Sequence, residues 1–210
     1  MNAAQAAQVM EALGKLYPEA KPELNFRNPY ETLIATILSA QCTDRRVNQV
    51  TAKLFPQYPD AFAMARLTPE ELEPMIRECG LYHSKAKNII AASRTLVEQY
   101  DGRVPGTRAE LMKLPGVGQK TAGVVLLAAF GDDQIPVDTH VFRVSRRIGL
   151  ADASTPEKVE EQLRALLERD IWSLGHHLII WHGRRCCHAR KPECERCPLE
   201  GGLCEKHMEN

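Results

Sequence analysis

Four cysteines near the end of the sequence restrict its fold more than any other feature. Cys187, Cys194, Cys197 and Cys204 are separated by six, two and six residues and lie within eighteen residues of one another. The chain has seven cysteines. A disulfide framework would spread paired cysteines along a small secreted chain, so an odd number with four crowded into one segment points to a reducing compartment. Four thiolates supplied by one short loop make a metal site, and the leading candidate is a [4Fe–4S] cluster. Zinc is the alternative, because the Cys194–Cys197 spacing suits either metal. Many zinc sites, however, split their ligands into two separated pairs, and here all four share one loop.

The rest of the chain reads as helix. Asn28-Pro29-Tyr30-Glu31 has an N-cap residue, a proline at the first helical position and a glutamate three after the cap. Thr68-Pro69-Glu70-Glu71 repeats the arrangement, Thr107-Arg108-Ala109-Glu110 is another capping box, and Thr155-Pro156-Glu157 is a fourth start. Tyr30, Leu33, Ile34, Ile37 and Leu38 fall on one helical face, as do Val159, Leu163, Leu166 and Leu167. No segment alternates with period two between hairpin turns. The expected class is all-α, with about ten helices. With no Ser/Gly-rich linker or low-complexity tract, any two lobes must pack directly on each other.

Charge gives less. The 210 residues hold 27 basic and 27 acidic side chains and are 44% hydrophobic. That is enough to bury a core, but a neutral total offers no support for a polyanionic partner. Acid-free stretches do occur. Cys79 to Val97 carries Lys85, Lys87 and Arg94; Thr139 to Ala151 carries Arg143, Arg146 and Arg147; and Arg190 and Lys191 follow Arg184 and Arg185. Each could equally be a solvated helix face. Met1-Asn2-Ala3-Ala4-Gln5 has neither a basic n-region nor an apolar h-region, and Val124 to Phe130 is too short to span a bilayer. A soluble cytoplasmic protein is expected.

Two further segments carry chemistry. In Leu114-Pro115-Gly116-Val117-Gly118-Gln119-Lys120, proline and glycine stop one short helix that Leu111 and Leu114 close. Gly118 is expected to let the backbone turn tightly and approach a partner. A second helix runs from about Gln119 to Phe130. Amides around Gly116–Gly118 and at the new helix start would form a nest for a phosphate oxygen, independent of nucleotide sequence. A plain inter-helix turn is the alternative. Lys120 sits in the first turn, where a cation is disfavoured and the neutral amine needed for nucleophilic attack is helped; a second phosphate contact would use the same position. In Ile135-Pro136-Val137-Asp138-Thr139-His140 one acid stands among apolar neighbours at a helix start. Asp138 is either a simple N-cap or the acid/base and electrostatic partner of an amine nucleophile.

Taken with the cysteine loop, these segments closely resemble the endonuclease III family, the iron–sulfur helix–hairpin–helix DNA glycosylases with AP lyase activity. Leu38-Ser39-Ala40-Gln41, Thr43-Asp44, Gly80-Leu81-Tyr82, Ser84-Lys85-Ala86 and His182-Gly183-Arg184 also match, in order, from Leu24 to Cys204. The resemblance implies a two-lobed fold. Residues 22–132 would form a six-helix domain carrying the helix–hairpin–helix at about 107–130. Residues 1–21 and 133–210 would form a cluster domain with its iron–sulfur loop at 187–204, and DNA would bind in the cleft between. It also implies that Lys120 is the nucleophile and Asp138 the catalytic aspartate. Gln41 would fill the gap left by a flipped nucleotide and Leu81 would wedge at the opposite strand. Gly116, Gly118, Thr121, His140 and Lys191 would be further DNA contacts. Cys187 rather than Cys186 is the first ligand because it restores the family's first interval. The last interval is one residue longer than usual, which Gly201-Gly202 would absorb. Cys42 and Gly123 are departures, as is Gln119 in place of a frequent basic residue.

The activity implied is removal of oxidised or saturated pyrimidines from double-stranded DNA, followed by β-elimination, by a monomer associated with the nucleoid in a prokaryote. A monofunctional adenine–mismatch glycosylase shares the hairpin, aspartate and cluster but uses water as nucleophile, so Lys120 argues against it. A non-catalytic iron–sulfur DNA-binding or redox module would leave Lys120 and Asp138 without a reason to occur together.

Overall fold

The structure, a computed structural model, describes residues 1–205. Among these residues there is no strand; eleven α-helices and three short 3-10 turns account for the regular structure. They are α1 (Ala3–Leu16), α2 (Pro29–Ser39), α3 (Asp44–Leu54), α4 (Ala61–Ala65), α5 (Pro69–Ile76), α6 (Tyr82–Tyr100), α7 (Arg108–Leu111), α8 (Gln119–Phe130), α9 (Thr139–Ile148), α10 (Pro156–Leu166) and α11 (Trp172–Arg185). This number agrees with the expectation of about ten helices; the five-residue α4 is too brief to show a period in the sequence. No described helix is long and apolar enough to cross a membrane.

The chain divides into two compact units, Pro22–Asp132 and Met1–Lys21 with the chain from Asp133 onward. In the first unit α2 packs on α3, α6 and α8, and α6 also takes α4 and α5. Its core includes Leu33, Ile34, Leu38, Leu54, Met64, Leu72, Ile89, Leu96, Leu111 and Val125. The α2 pattern suggested one buried face, yet every residue from Tyr30 to Leu38 is buried. Two threonines make this possible. The Thr32 hydroxyl donates to the Asn28 carbonyl at 2.9 Å and the Thr36 hydroxyl to that of Thr32 at 2.7 Å, so neither enters the core unpaired. Buried Glu31 is matched by Arg27, whose guanidinium and backbone amide both donate to its carboxylate.

The cap chemistry holds with local changes. Asn28, Thr68, Thr107 and Thr155 are all N-caps whose side chains accept from the residue three ahead. Only at Thr68 does the glutamate complete the reciprocal box. At Thr107 the carboxylate of Glu110 takes the threonine hydroxyl instead, at 2.6 Å. The helix there ends at Leu111, and Leu114 follows in a turn, its amide donating to the Leu111 carbonyl.

In the second unit α9 packs on α10 and α11, and α1 packs on α11. Val9, Leu13, Val141, Val144, Ile148, Val159, Leu163, Leu178 and Ile179 lie in its core. At Gly183 a Cβ would stand 2.9 Å from Val144 Cγ2, so only glycine lets α11 approach α9 this closely. Tyr17, just after α1, places its hydroxyl 3.2 Å from His182 Nδ1 and ties the N-terminal helix to the end of α11.

Candidate functional site

The hairpin between α7 and α8 divides its work between two glycines, and differently from the sequence reading. Gly116 makes the turn. Its φ is +80°, and a Cβ there would meet the Asn88 Cβ at 2.8 Å. Gly118 is extended, with φ −98° and ψ −175°, and nothing of the protein lies within 4 Å of where its Cβ would be. Neither backbone strain nor packing asks for glycine at 118; the open space above it suits close approach by an external group. Gly118 is also the N-cap of α8, and no side chain caps that helix. The Val117 amide is engaged by the Leu114 carbonyl and is not offered outward, while the first-turn amides of α8 follow a helix start that no side chain caps. Lys120 is the second residue of α8 and is exposed; Thr121 beside it is half-buried.

Two more of the expected contacts stand out by their backbone. Gln41 has φ +51° and Leu81 has φ +45°. Left-handed backbone costs a non-glycine residue about 1–2 kcal/mol, and such strain gathers where a side chain must be aimed. Both side chains are exposed, and Leu81 is 57% exposed, unusual for a large aliphatic group. Gln41 lies between α2 and α3, and Leu81 caps α6.

Asp138 caps α9. Its Oδ1 accepts from the amides of His140 and Val141, both at 2.8 Å. Both cap bonds fall on one oxygen, so the cap does not engage Oδ2. The cap reading is thus correct as local structure and leaves a carboxylate oxygen for other work. His140 Nδ1 lies 3.3 Å from the Arg143 guanidinium. Burial holds the His140 imidazole below its ordinary pKa, against an opposing pull from the Asp138 carboxylate.

The cysteine loop follows α11. All seven cysteines are free thiols, and Cys187, Cys194, Cys197 and Cys204 are each half-buried. Cys187, Cys197 and Cys204 pack against the core of their unit. The donor set, four thiols supplied by one loop and none of them in a disulfide, fits an iron–sulfur cluster. Cys186 is buried, and its thiol lies with those of Cys197 and with a His182 ring nitrogen in a group whose ligand atoms are all within 4.8 Å. Gly201 and Gly202 have φ of +97° and +139°, a turn that accommodates the longer final interval. Lys191 is exposed at φ +52°, in a segment closed by the Glu193 amide on the Cys186 carbonyl at 3.0 Å.

Four cations of the acid-free stretches have structural roles that the sequence reading did not anticipate. Arg143 donates to the carbonyls of Gly183 and Cys187, and Arg147 to those of His188 and Ala189. These two α9 arginines hold the start of the cluster loop. Arg94 donates to the carbonyls of Ala65 and Leu67, and the buried Lys85 ammonium to those of Leu38 and Cys79. Their shared signal was a cation without an acid nearby, which marks a backbone-carbonyl partner as readily as a phosphate.

Known proteins agree with this arrangement. Residues 34–169 match the HhH-GPD superfamily base excision DNA repair protein family, and residues 187–204 match the iron-sulfur binding domain of endonuclease III. Endonuclease III of Synechocystis is 48% identical over 196 residues, which is 93% of this chain and 90% of that protein. Endonuclease III of Escherichia coli K12 is 47% identical over 205 residues, covering 98% and 97% respectively. A solved non-covalent endonuclease III–DNA complex superposes with a TM-score of 0.94 at 45% identity, over 98% of this chain and 96% of that one. A thermostable thymine-DNA glycosylase superposes at 0.85 with 25% identity, over 97% and 96%. The helical fold, the hairpin and the four-cysteine loop thus meet in one assignment: the chain belongs to the endonuclease III family of base excision DNA repair enzymes and carries a [4Fe–4S] cluster.

Proposed function

We propose that Lys120 is the nucleophile, and Asp138 its acid/base and electrostatic partner, in the removal of oxidised or saturated pyrimidines from duplex DNA. Family membership makes the chain a DNA glycosylase with AP lyase activity. The observation that carries the residue assignment is Lys120 itself: an exposed amine in the first turn of α8, directly behind a helix start that no side chain caps.

A damaged base inside a duplex hides its sugar, so the nucleotide must be extruded at a cost of a few kcal/mol, least at weakened pairs. Gln41 and Leu81, aimed outward by left-handed backbone, fill the vacancy and wedge the opposite strand. The α8 amides behind Gly116 and Gly118, with Thr121, His140 and Lys191, hold the backbone. Lys120 Nζ then adds to C1′ and the base leaves with the electrons of the glycosidic bond. Asp138 stabilises positive charge on the sugar and takes a proton from the attacking amine. The sugar ring opens to a Schiff base, which acidifies the C2′ proton. Loss of that proton breaks the C3′–O bond and cuts the strand on the 3′ side, and water releases the lysine. The cluster on Cys187, Cys194, Cys197 and Cys204 supplies a structural staple that orders the loop bearing Lys191. One copy of the chain holds every residue named, so the reading calls for a monomer, working in the nucleoid on damaged or abasic DNA.

Borohydride trapping on an abasic duplex tests the nucleophile. Lys120→Gln should keep its helical content and bind the abasic duplex within about threefold of the parent. It should lose the covalent adduct, with strand cleavage down by at least about a thousandfold, as expected when a nucleophile is removed. Normal single-turnover nicking by this variant would sink the assignment.

A further inference from the structure

A buried cation joins the two segments that lead into Gln41 and Leu81. Lys85, the fourth residue of α6, is 4% exposed. Its ammonium donates to the Leu38 carbonyl at 2.8 Å and to the Cys79 carbonyl at 2.7 Å. Its backbone amide donates to the carbonyl of Leu81 itself at 3.0 Å. All of these residues belong to the Pro22–Asp132 unit.

Both side-chain acceptors stand where the chain leaves a helix. Leu38 is next to last in α2, three residues before Gln41, and Cys79 ends the 3-10 turn Arg77–Cys79, two residues before Leu81. Carbonyls at helix ends lack intrahelical partners and carry the negative end of the helix dipole, so an ammonium suits both. Beyond these bonds the backbone turns left-handed, with φ +51° at Gln41, +64° at Gly80 and +45° at Leu81. Such a conformation persists at Gln41 and Leu81 only where the surroundings over-determine it. The Cys42 amide on the Ser39 carbonyl at 3.1 Å closes the turn around Gln41, but does not link it to Leu81. Arg46 of α3 pairs with Glu78 and spans the two segments as well. Both of those side chains are exposed, and an exposed ion pair contributes little.

We propose that Lys85 is a positioning residue for nucleotide extrusion, whose ammonium sets the spacing and aim of Gln41 and Leu81 by holding the Leu38 and Cys79 carbonyls together. So deeply buried a nitrogen does not reach a phosphate, and it acts through the two loops. Two bonds to one nitrogen fix how far apart the loop bases stand. That spacing decides whether one side chain can fill the vacancy while the other wedges the opposite strand. The proposal rests on the reading of Gln41 and Leu81 as inserted residues.

The test compares four cluster-bearing proteins: the parent, Lys85→Met, the double variant Gln41→Ala with Leu81→Ala, and the triple variant. Methionine fills the space of lysine but donates nothing. Single-turnover excision is measured on a duplex with one dihydrothymine beside a 2-aminopurine, whose fluorescence rises as the stack opens. Strand cleavage is measured on a single-stranded abasic oligonucleotide, which has no stack to open and no opposite strand to wedge. Lys85→Met should lose about thirtyfold in excision, within the range that misplacement by a distant substitution costs, with a slower and smaller fluorescence rise. On the single strand its loss should stay below about threefold, because Lys120 and Asp138 are untouched. In the triple variant Lys85→Met should add less than about twofold to the loss of the double variant, since residues that act as a unit are not additive. Parental excision and fluorescence in Lys85→Met overturn the proposal. An equal loss on the single strand marks a general defect and overturns it too, as does an undiminished further loss in the triple variant. A double variant that excises and brightens like the parent sinks the insertion reading, and the proposal with it. If Lys85→Met does not fold, Lys85→Gln carries the same comparisons, because its shorter stem cannot reach both carbonyls and should show the same pattern of loss.

Discussion

Asp138 does two things that one substitution separates. As a cap it needs only an oxygen for the amides of His140 and Val141, and asparagine caps as well as aspartate. As a participant in base removal it needs its charge. Asp138→Asn should therefore leave stability within about 0.5 kcal/mol of the parent. Excision of an oxidised pyrimidine should fall by about a hundredfold or more, with a smaller loss on a preformed abasic site, where the base has already gone. Single-turnover rates on the two substrates decide it, and near-normal values on both would reduce Asp138 to a cap. The sequence could not choose between these roles, because an isolated acid at a helix start serves either. The strain at Gln41, Leu81 and Lys191 was invisible too. None is a residue type that favours left-handed backbone, so only tertiary structure holds them there.

Among elements, the helix starts were the most legible, since caps depend on four adjacent residues and little else. What the sequence pattern concealed was context. The α2 pattern showed one apolar face, and the burial of Thr32 and Thr36 depends on bonds back to their own helix. The basic stretches hid carbonyl partners that come from distant segments, such as the His188 carbonyl for Arg147. The hairpin was legible as a motif, but its glycines had to be told apart by geometry. Gly116→Ala forces a side chain into left-handed backbone and against Asn88, and should cost about 2–3 kcal/mol in urea unfolding. Gly118→Ala meets nothing within 4 Å, and should unfold within about 0.5 kcal/mol of the parent. Its methyl group stands where a phosphate would approach, so abasic-duplex affinity measured by fluorescence anisotropy should fall about tenfold. If Gly118→Ala binds DNA normally, the hairpin is only an inter-helix turn.

Across the whole molecule, the class of fold and the cofactor were readable because helix starts and cysteine spacing are local signals. The closures that complete each unit were not. Tyr17 and His182 meet across 165 residues of chain, and no periodicity foretells such a contact. The two units have separate cores, and that separation makes the cluster's structural role measurable. Protein purified without air should be brown, with broad absorbance near about 400 nm and about four irons per chain. Cys197→Ser removes one proposed ligand, and metal binding and loop order are linked. Hydrogen exchange should then show lost protection from residue 190 to residue 204. Residues 187–189 should lose less, because Arg143 and Arg147 hold their carbonyls without help from the metal. Amides of α2, α6 and α8 should keep theirs, since that core contains no ligand. DNA affinity should fall through Lys191, while a Schiff base still forms at Lys120 once enough DNA is supplied. A colourless protein with one zinc per chain would remove the cluster assignment, and exchange rising equally in both units would show that the cysteines support more of the molecule than their own loop.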